Sequence, residues 1–328
     1  MSGAEHPGTH ETVGATQTWT HIPVLGTSVL DYLKGVPEPR VIADMTLGRA
    51  GHATLMLQEC PSAFLYGFDR DGEAISASCE KLQHYFPGRY RLFQVDFATA
   101  VDRMKESGVT GIDFALFDTG VSSPQFDDPE RGFSYRYDAP LDMRMDQRQK
   151  LTARDVVNTY SVEELERIIR DYGGERRYAK SIAKEIVSFR QVRPLETTFD
   201  LVNAVKAALP QRVLRKEGHP AKQTFMALRF EVNSEREEME VAITKAVQFL
   251  NPQGRVAVIT FNSDDDALVK RIFASFCPRS EGSRFLPPVP DKTSDYEILT
   301  KKPIVPDSAE RDYNPRSEPA KMRVIARR

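Results

Sequence analysis

Val41–Ile42–Ala43–Asp44–Met45–Thr46–Leu47–Gly48–Arg49–Ala50–Gly51–His52 reads as a buried strand that feeds a tight turn and then the amino end of a helix. Small residues in the turn let the backbone approach a ligand closely, and free N–H groups at a helix start attract negative charge. The same rhythm continues on both sides. A helix is expected around 26–33, a strand at 40–45, a helix at 53–59 and a strand at 63–68 ending at Asp69. A helix at 73–85 and strands at 90–95 and 112–117 follow. That is βαβαβ order, the nucleotide-binding half of a doubly wound α/β sheet. A carboxylate at Asp69 is placed to bind both hydroxyls of an adenosine ribose. At the end of the third strand, Asp96–Phe97 offers a ring to stack on adenine and a carboxylate to reach its amino group. A Gly-rich turn with a downstream Asp suits NAD as well as other adenosine cofactors. The spacing departs from G-x-G-x-x-G, which tilts the choice away from a dinucleotide.

From about 123 to 217 the pattern changes to amphipathic helices and polar loops, expected at 152–158, 162–172, 175–190 and 198–208. Leu165, Ile168, Ile169 and Tyr172 recur at helical spacing. A long amphipathic helix over 224–250 precedes a strand at 255–261, then a Pro-rich loop around Pro287–Pro290 and a basic tail. A helical domain at 123–217 inserted into an α/β domain of 21–122 and 218–328 is the simplest organisation, with residues 1–20 as a disordered leader. The chain has 328 residues, enough for more than one core. No apolar run approaches the roughly 20 residues that span a bilayer. The leader lacks the features of a secretory signal, which favours the cytoplasm, with a mitochondrial matrix as the alternative. Three scattered cysteines suit a reducing compartment and build neither a disulfide framework nor a metal site. The net charge of −2 argues against indiscriminate nucleic-acid binding. Positive charge is local instead: residues 301–328 hold eight Lys or Arg against four Asp or Glu.

The most specific stretch is Asp118–Thr119–Gly120–Val121–Ser122–Ser123–Pro124–Gln125–Phe126–Asp127–Asp128–Pro129–Glu130–Arg131–Gly132–Phe133–Ser134. Pro140–Leu141–Asp142–Met143–Arg144–Met145–Asp146 follows closely. With His21–Ile22–Pro23–Val24, Tyr172–Gly173–Gly174–Glu175–Arg176, His219–Pro220–Ala221–Lys222–Gln223–Thr224–Phe225–Met226–Ala227–Leu228–Arg229, Lys302–Pro303–Ile304 and Asn314–Pro315–Arg316–Ser317, the chain resembles a bacterial-type family. Its members, MraW-like and with mitochondrial relatives, methylate N4 of a decoding-centre cytidine in small-subunit ribosomal RNA. The resemblance runs from about His21 to Val324. It implies a Rossmann-like class I methyltransferase sheet with an inserted helical domain that recognises RNA. It implies S-adenosylmethionine bound at Ala50, Gly51, His52, Asp69, Phe97, Asp118 and Gln125, and small-subunit rRNA or an immature small subunit as partner. A homodimer is left open. Within the motif, Asp142 and Arg144 are spaced for a structural ion pair, and Asp127, Asp128 and Glu130 suit a solvated loop.

Cytosine N4 is a poor nucleophile because its lone pair is delocalised into the ring. Methyl transfer needs that amino group held in line, with an acceptor drawing on its N–H as charge develops. Asp118 and the backbone of the 120–123 turn are expected to supply it, at the carboxyl end of the fourth strand. An unstacked cytidine also needs an aromatic clamp, for which Phe133 and Tyr135 are the candidates. No metal is required. Four departures from the family pattern stand out. Ala50 replaces the first Gly of Gly-Gly-His, and Thr119 the Leu of Asp-Leu-Gly. Thr260–Phe261–Asn262–Ser263–Asp264–Asp265–Asp266–Ala267 replaces Ser-Phe-His-Ser-Leu-Glu-Asp-Arg. Glu318 reverses the charge of the tail's second Arg, among the expected phosphate contacts Arg316, Lys321 and Arg323. The altered Ala50 and Asn262 positions motivate a rival reading, a non-catalytic homologue that binds rRNA as a small-subunit assembly factor.

Overall fold

The apolar run of β1 (Val41–Asp44) has no solvated face, because its neighbours flank it and helices cover both sides of the sheet. The computed structural model describes residues 23–121, 123–278 and 294–328. The leader at 1–20, His21–Ile22, Ser122 and the Pro287–Pro290 loop lie outside the described residues. In chain order the elements begin with α1 (Gly26–Lys34), β1, α2 (Gly51–Glu59), β2 (Phe64–Asp69), α3 (Gly72–Tyr85) and β3 (Tyr90–Gln94). Then come α4 (Phe97–Glu106), β4 (Ile112–Asp118) and α5 (Ser123–Asp127). Helices α6 (Ala153–Thr159), α7 (Val162–Asp171), α8 (Ala179–Val192), α9 (Thr198–Ala208) and α10 (Gln211–Leu214) follow, then α11 (Lys222–Asn233) and α12 (Glu235–Gln248). The chain closes with β5 (Leu250–Thr260), α13 (Ser263–Phe276), β6 (Tyr296–Ile298), α14 (Ser308–Tyr313) and β7 (Lys321–Arg327).

The strands form one seven-stranded sheet in the order β3-β2-β1-β4-β5-β7-β6. β1 to β5 are parallel, and β7 runs antiparallel to both β5 and β6. This is the class I methyltransferase sheet expected from the motifs. After β3 the chain crosses back to β4 on the other side of β1, so the carboxyl ends of β1 and β4 flank the switch point where such sheets hold ligands. One apolar cluster packs α1, α2 and α3 on one face, including Leu33, Met56 and Leu82. Another packs α4, α12 and α13 on the opposite face, around Phe68, Phe117 and Phe273.

A third cluster is built by the helices between β4 and β5. Their starts are written locally. Thr152 with Asp155, Ser161 with Glu164 and Thr197 with Asp200 form reciprocal capping boxes at α6, α7 and α9. α7 then turns Leu165, Ile168 and Ile169 inward. This core extends past 217, through Phe225, Leu228 and Val232 of α11.

Several elements differ from expectation. The helix expected over 224–250 is two helices, broken at Ser234, which takes left-handed φ of 49°. α11 serves the helical lobe, while α12 turns Met239, Ile243 and Val247 onto the sheet. Helices α4 and α13 stand where the sequence pattern suggested none. The basic tail is a strand: β7 fills the place beside β5 with Met322, Val324 and Ile325 buried.

Candidate active site

The carboxyl ends of β1, β2 and β4 deliver three carboxylates to one place. Asp44 ends β1, Asp69 ends β2 and Asp118 ends β4. Burial pushes the Asp44 carboxyl up to about 7, opposed by the His52 ring and reinforced by Asp118 and Asp69. Burial also lifts Asp69 to about 6, against backbone N–H donors, and Asp118 to about 7. Buried acids with raised pKa values, gathered at a sheet's switch point, make this the candidate site.

Asp118 is the most exposed to chemistry. Its N–H donates to Thr46 Oγ1 at 2.6 Å, which ties β4 to the turn after β1. Its Oδ1 is enclosed and has no hydrogen-bond partner among the described residues. A buried acceptor in that state costs free energy unless a ligand donates to it. Its Oδ2 faces His52 Nδ1 at 3.6 Å. On the other side of the ring, His52 Nε2 stands 2.8 Å from the Val24 carbonyl. A carbonyl only accepts, so the ring proton sits on Nε2 and Nδ1 presents a lone pair to Asp118. Burial lowers the His52 pKa and keeps the ring neutral. Two acceptors facing each other favour a proton on the carboxyl, in line with its raised pKa.

Asp69 binds the turn that follows β1. Its Oδ2 accepts from Gly48 N–H at 2.8 Å and its Oδ1 from Asp71 N–H at 2.9 Å. Each oxygen keeps a second lone pair, the capacity that two ribose hydroxyls require. Ala50 is buried at φ 53°, ψ 39°, and starts α2 with no side-chain cap. The first N–H groups of α2, at Gly51 and His52, are thus oriented to receive a carboxylate. Phe97 opens α4, edge-on to Phe117 at 6.3 Å, with the Arg70 guanidinium 5.5 Å from its ring centre. Asp96 caps that helix by accepting from Thr99 N–H at 3.0 Å, which commits one of its oxygens.

Gln125 comes to the same loop from α5: its amide donates to Asp71 Oδ2 at 2.8 Å. Here the structure shows partners that the sequence did not single out. Arg131 also donates to Asp71 Oδ2, at 3.0 Å, and to the carbonyls of Arg144 and Met145 at 3.0 and 3.1 Å. Arg70 donates to the Asn233 carbonyl at 2.6 Å and pairs with Glu238. Asn233 in turn donates to the Met143 carbonyl and accepts from Met145 N–H, both at 2.8 Å. One buried network therefore joins the β2–α3 loop to the helical lobe. Its only hint in the sequence is that Arg131 lies inside the long motif and Asp71 two residues after Asp69.

Other expected residues take structural places. Arg144 grips Asp142 at 2.7 to 3.1 Å, an ion pair that holds the loop. Asn262 caps α13, accepting from Asp265 N–H at 2.8 Å. Phe133 is not a clamp, because it is buried in the lobe core. Tyr135 is half-buried, stacked on His219 at 4.1 Å. Arg323 is not a free phosphate contact. Its guanidinium is enclosed against Asp266 at 2.6 and 2.9 Å. Arg316 pairs with Asp127 at 2.8 Å, beside α5.

The ribosomal RNA small subunit methyltransferase H of Mesoplasma florum is 41% identical, over 94% of this chain and 99% of its own length. That of Leuconostoc mesenteroides is 42% identical, over 94% and 99%. That of Spiroplasma kunkelii is 45% identical, over 88% and 92%. A profile of the MraW methylase family matches residues 18–328. With nearly the whole length matched and the acid-lined switch point in place, this chain belongs to the MraW methylase family.

Proposed function

We propose that this chain transfers the methyl group of S-adenosylmethionine to N4 of a cytidine in small-subunit ribosomal RNA, within an immature subunit in the bacterial cytoplasm. The observation that carries this reading is Asp118 Oδ1, a buried and unpartnered acceptor at the carboxyl end of β4. When bound, the cofactor supplies an electrophilic methyl group on a positively charged sulfur. Asp69 holds its ribose hydroxyls, Phe97 its adenine, and the first N–H groups of α2 its carboxylate. Asp118 accepts from the N4 amino group, which localises the nitrogen lone pair toward the methyl carbon. Asp118 would take the N4 proton as the amino nitrogen is methylated, so the nitrogen is left neutral. Asp44 and neutral His52 line the wall behind Asp118 and exclude water. Phe126 follows Gln125 on α5 with its ring 40% exposed, which suits it better than Phe133 to stack on an unstacked base.

The departures that motivate a non-catalytic reading have local accounts. Ala50 adopts the left-handed conformation that a Gly takes freely, and Asn262 caps a helix. The test is direct. Purified protein, immature small subunits and methyl-labelled S-adenosylmethionine should yield labelled N4-methylcytidine after nuclease digestion. Label in another nucleoside, or none with cofactor demonstrably bound, contradicts the proposal.

A further inference from the structure

A cleft of about 840 Å³ opens between the helical lobe and the α/β body, away from the carboxylates just described. Arg170, Arg176, Arg236, Lys270 and Arg271 line it, against two acids, Asp171 and Asp264. In a chain of net charge −2, that local excess is unusual. Its floor is shaped as well as charged. Ala267, Lys270, Arg271 and Ala274 share one face of α13, so two small residues bracket two cations. Gly174, at φ 72°, opens the opposite wall. Arg236 holds the two walls together, donating to the Asp171 carbonyl at 2.8 Å and standing 3.9 Å from Asp264. Arg170 is bound to Asp171 at 2.8 Å. Arg176, Lys270 and Arg271 are exposed and make no ion pair among the described residues. α13 starts just beyond the end of β5, whose Ile259 is paired with Asp118.

We propose that this cleft binds the sugar-phosphate backbone of the RNA that flanks the target cytidine. This inference rests on the functional reading above. Phosphates fit because the site offers five cations, three of them exposed and without an ion pair among the described residues, over a floor with small side chains. The lobe and the body each contribute cations, so bound RNA would span the junction that the Arg131 and Asn233 network holds rigid.

The experiment uses the full chain and an unmethylated, protein-free small-subunit rRNA transcript, with binding followed from 50 to 200 mM salt. The paired change Lys270→Glu and Arg271→Glu should weaken transcript binding at least about tenfold at 100 mM salt. It should also flatten the log–log salt dependence by about 1.5, the loss of two phosphate contacts. Asp264→Lys should tighten binding, and Arg176→Glu, on the other wall, should weaken it. These two read the cleft even if the paired variant fails to fold. S-adenosylmethionine affinity should stay as in wild type. If all three variants bind the transcript like wild type while wild type methylates subunits, the cleft assignment fails alone. If the loss is seen with whole immature subunits but not with the transcript, the partner is a ribosomal protein and the assignment is overturned. A wild type that methylates nothing defeats the functional reading. A wild type that also binds no transcript defeats both.

Discussion

Ala50 shows how much a single side chain can say. Its φ of 53° places a Cβ where a left-handed residue costs roughly 1–2 kcal/mol, while glycine there would lose more chain entropy on folding, by about 0.5–1 kcal/mol. Losing the buried methyl costs about 0.8 kcal/mol, so Ala50→Gly should leave stability within about 1 kcal/mol of the parent, a change of a few degrees at most in melting temperature. A loss of several kcal/mol would contradict this balance. The strain was legible in the sequence, because Ala50 stands in a Gly-rich turn between strand and helix. Asp69 and Asp118 were legible for the same kind of reason, as acids that end apolar runs. Asp44 ends an apolar run in the same way but was not singled out, and Asp71 and Arg131 were not legible. The role of Asp71 depends on Arg131, 60 residues away, and no local pattern announces that pairing.

At the scale of elements, apolar runs were read correctly where their period was clear, as in β1 to β4 and in α7, whose Ser161 and Glu164 capping box the structure adds. They failed where one signal hid the other. α13 begins with Asn262 and three aspartates, which reads as a polar loop but is a cap followed by an acidic first turn suited to the helix dipole. β7 carries Lys321, Arg323 and Arg327 among its apolar residues, and that positive charge masked the strand. Ser234 breaks a helix without interrupting its amphipathic pattern, because Asn233 is needed as a buried linker between lobe and sheet. That linking layer makes a prediction. Arg131→Met leaves Asp71 buried without its cation, and removing one partner of such a pair costs about 3–5 kcal/mol. Urea unfolding should show that loss, and adding Asp71→Asn, which keeps the α3 cap, should restore part of it. A loss under about 1 kcal/mol would show that the lobe is held by apolar contacts alone.

Across the whole molecule, three carboxylates and a neutral histidine sit at the sheet's switch point, and the helical lobe is bolted beside them by buried polar contacts. The carboxylates give the chemistry a pH signature. The Asp118 pKa is raised to about 7 by burial, so below that pH the carboxyl holds a proton and cannot accept one from N4. Methyl transfer should therefore rise as pH increases through about 7, or somewhat lower once a positively charged cofactor stands beside the group. Asn at this position keeps the size but neither the charge nor the titration. The decisive measurement is the single-turnover rate of methyl transfer to immature small subunits between pH 5.5 and 8.5, for wild type and Asp118→Asn, both saturated with S-adenosylmethionine. The account predicts a rising wild-type profile and a variant at least about a hundredfold slower without that rise, the loss expected for an acid–base group. A variant that keeps the wild-type rate and the same pH profile would contradict the assignment of Asp118 as the acceptor.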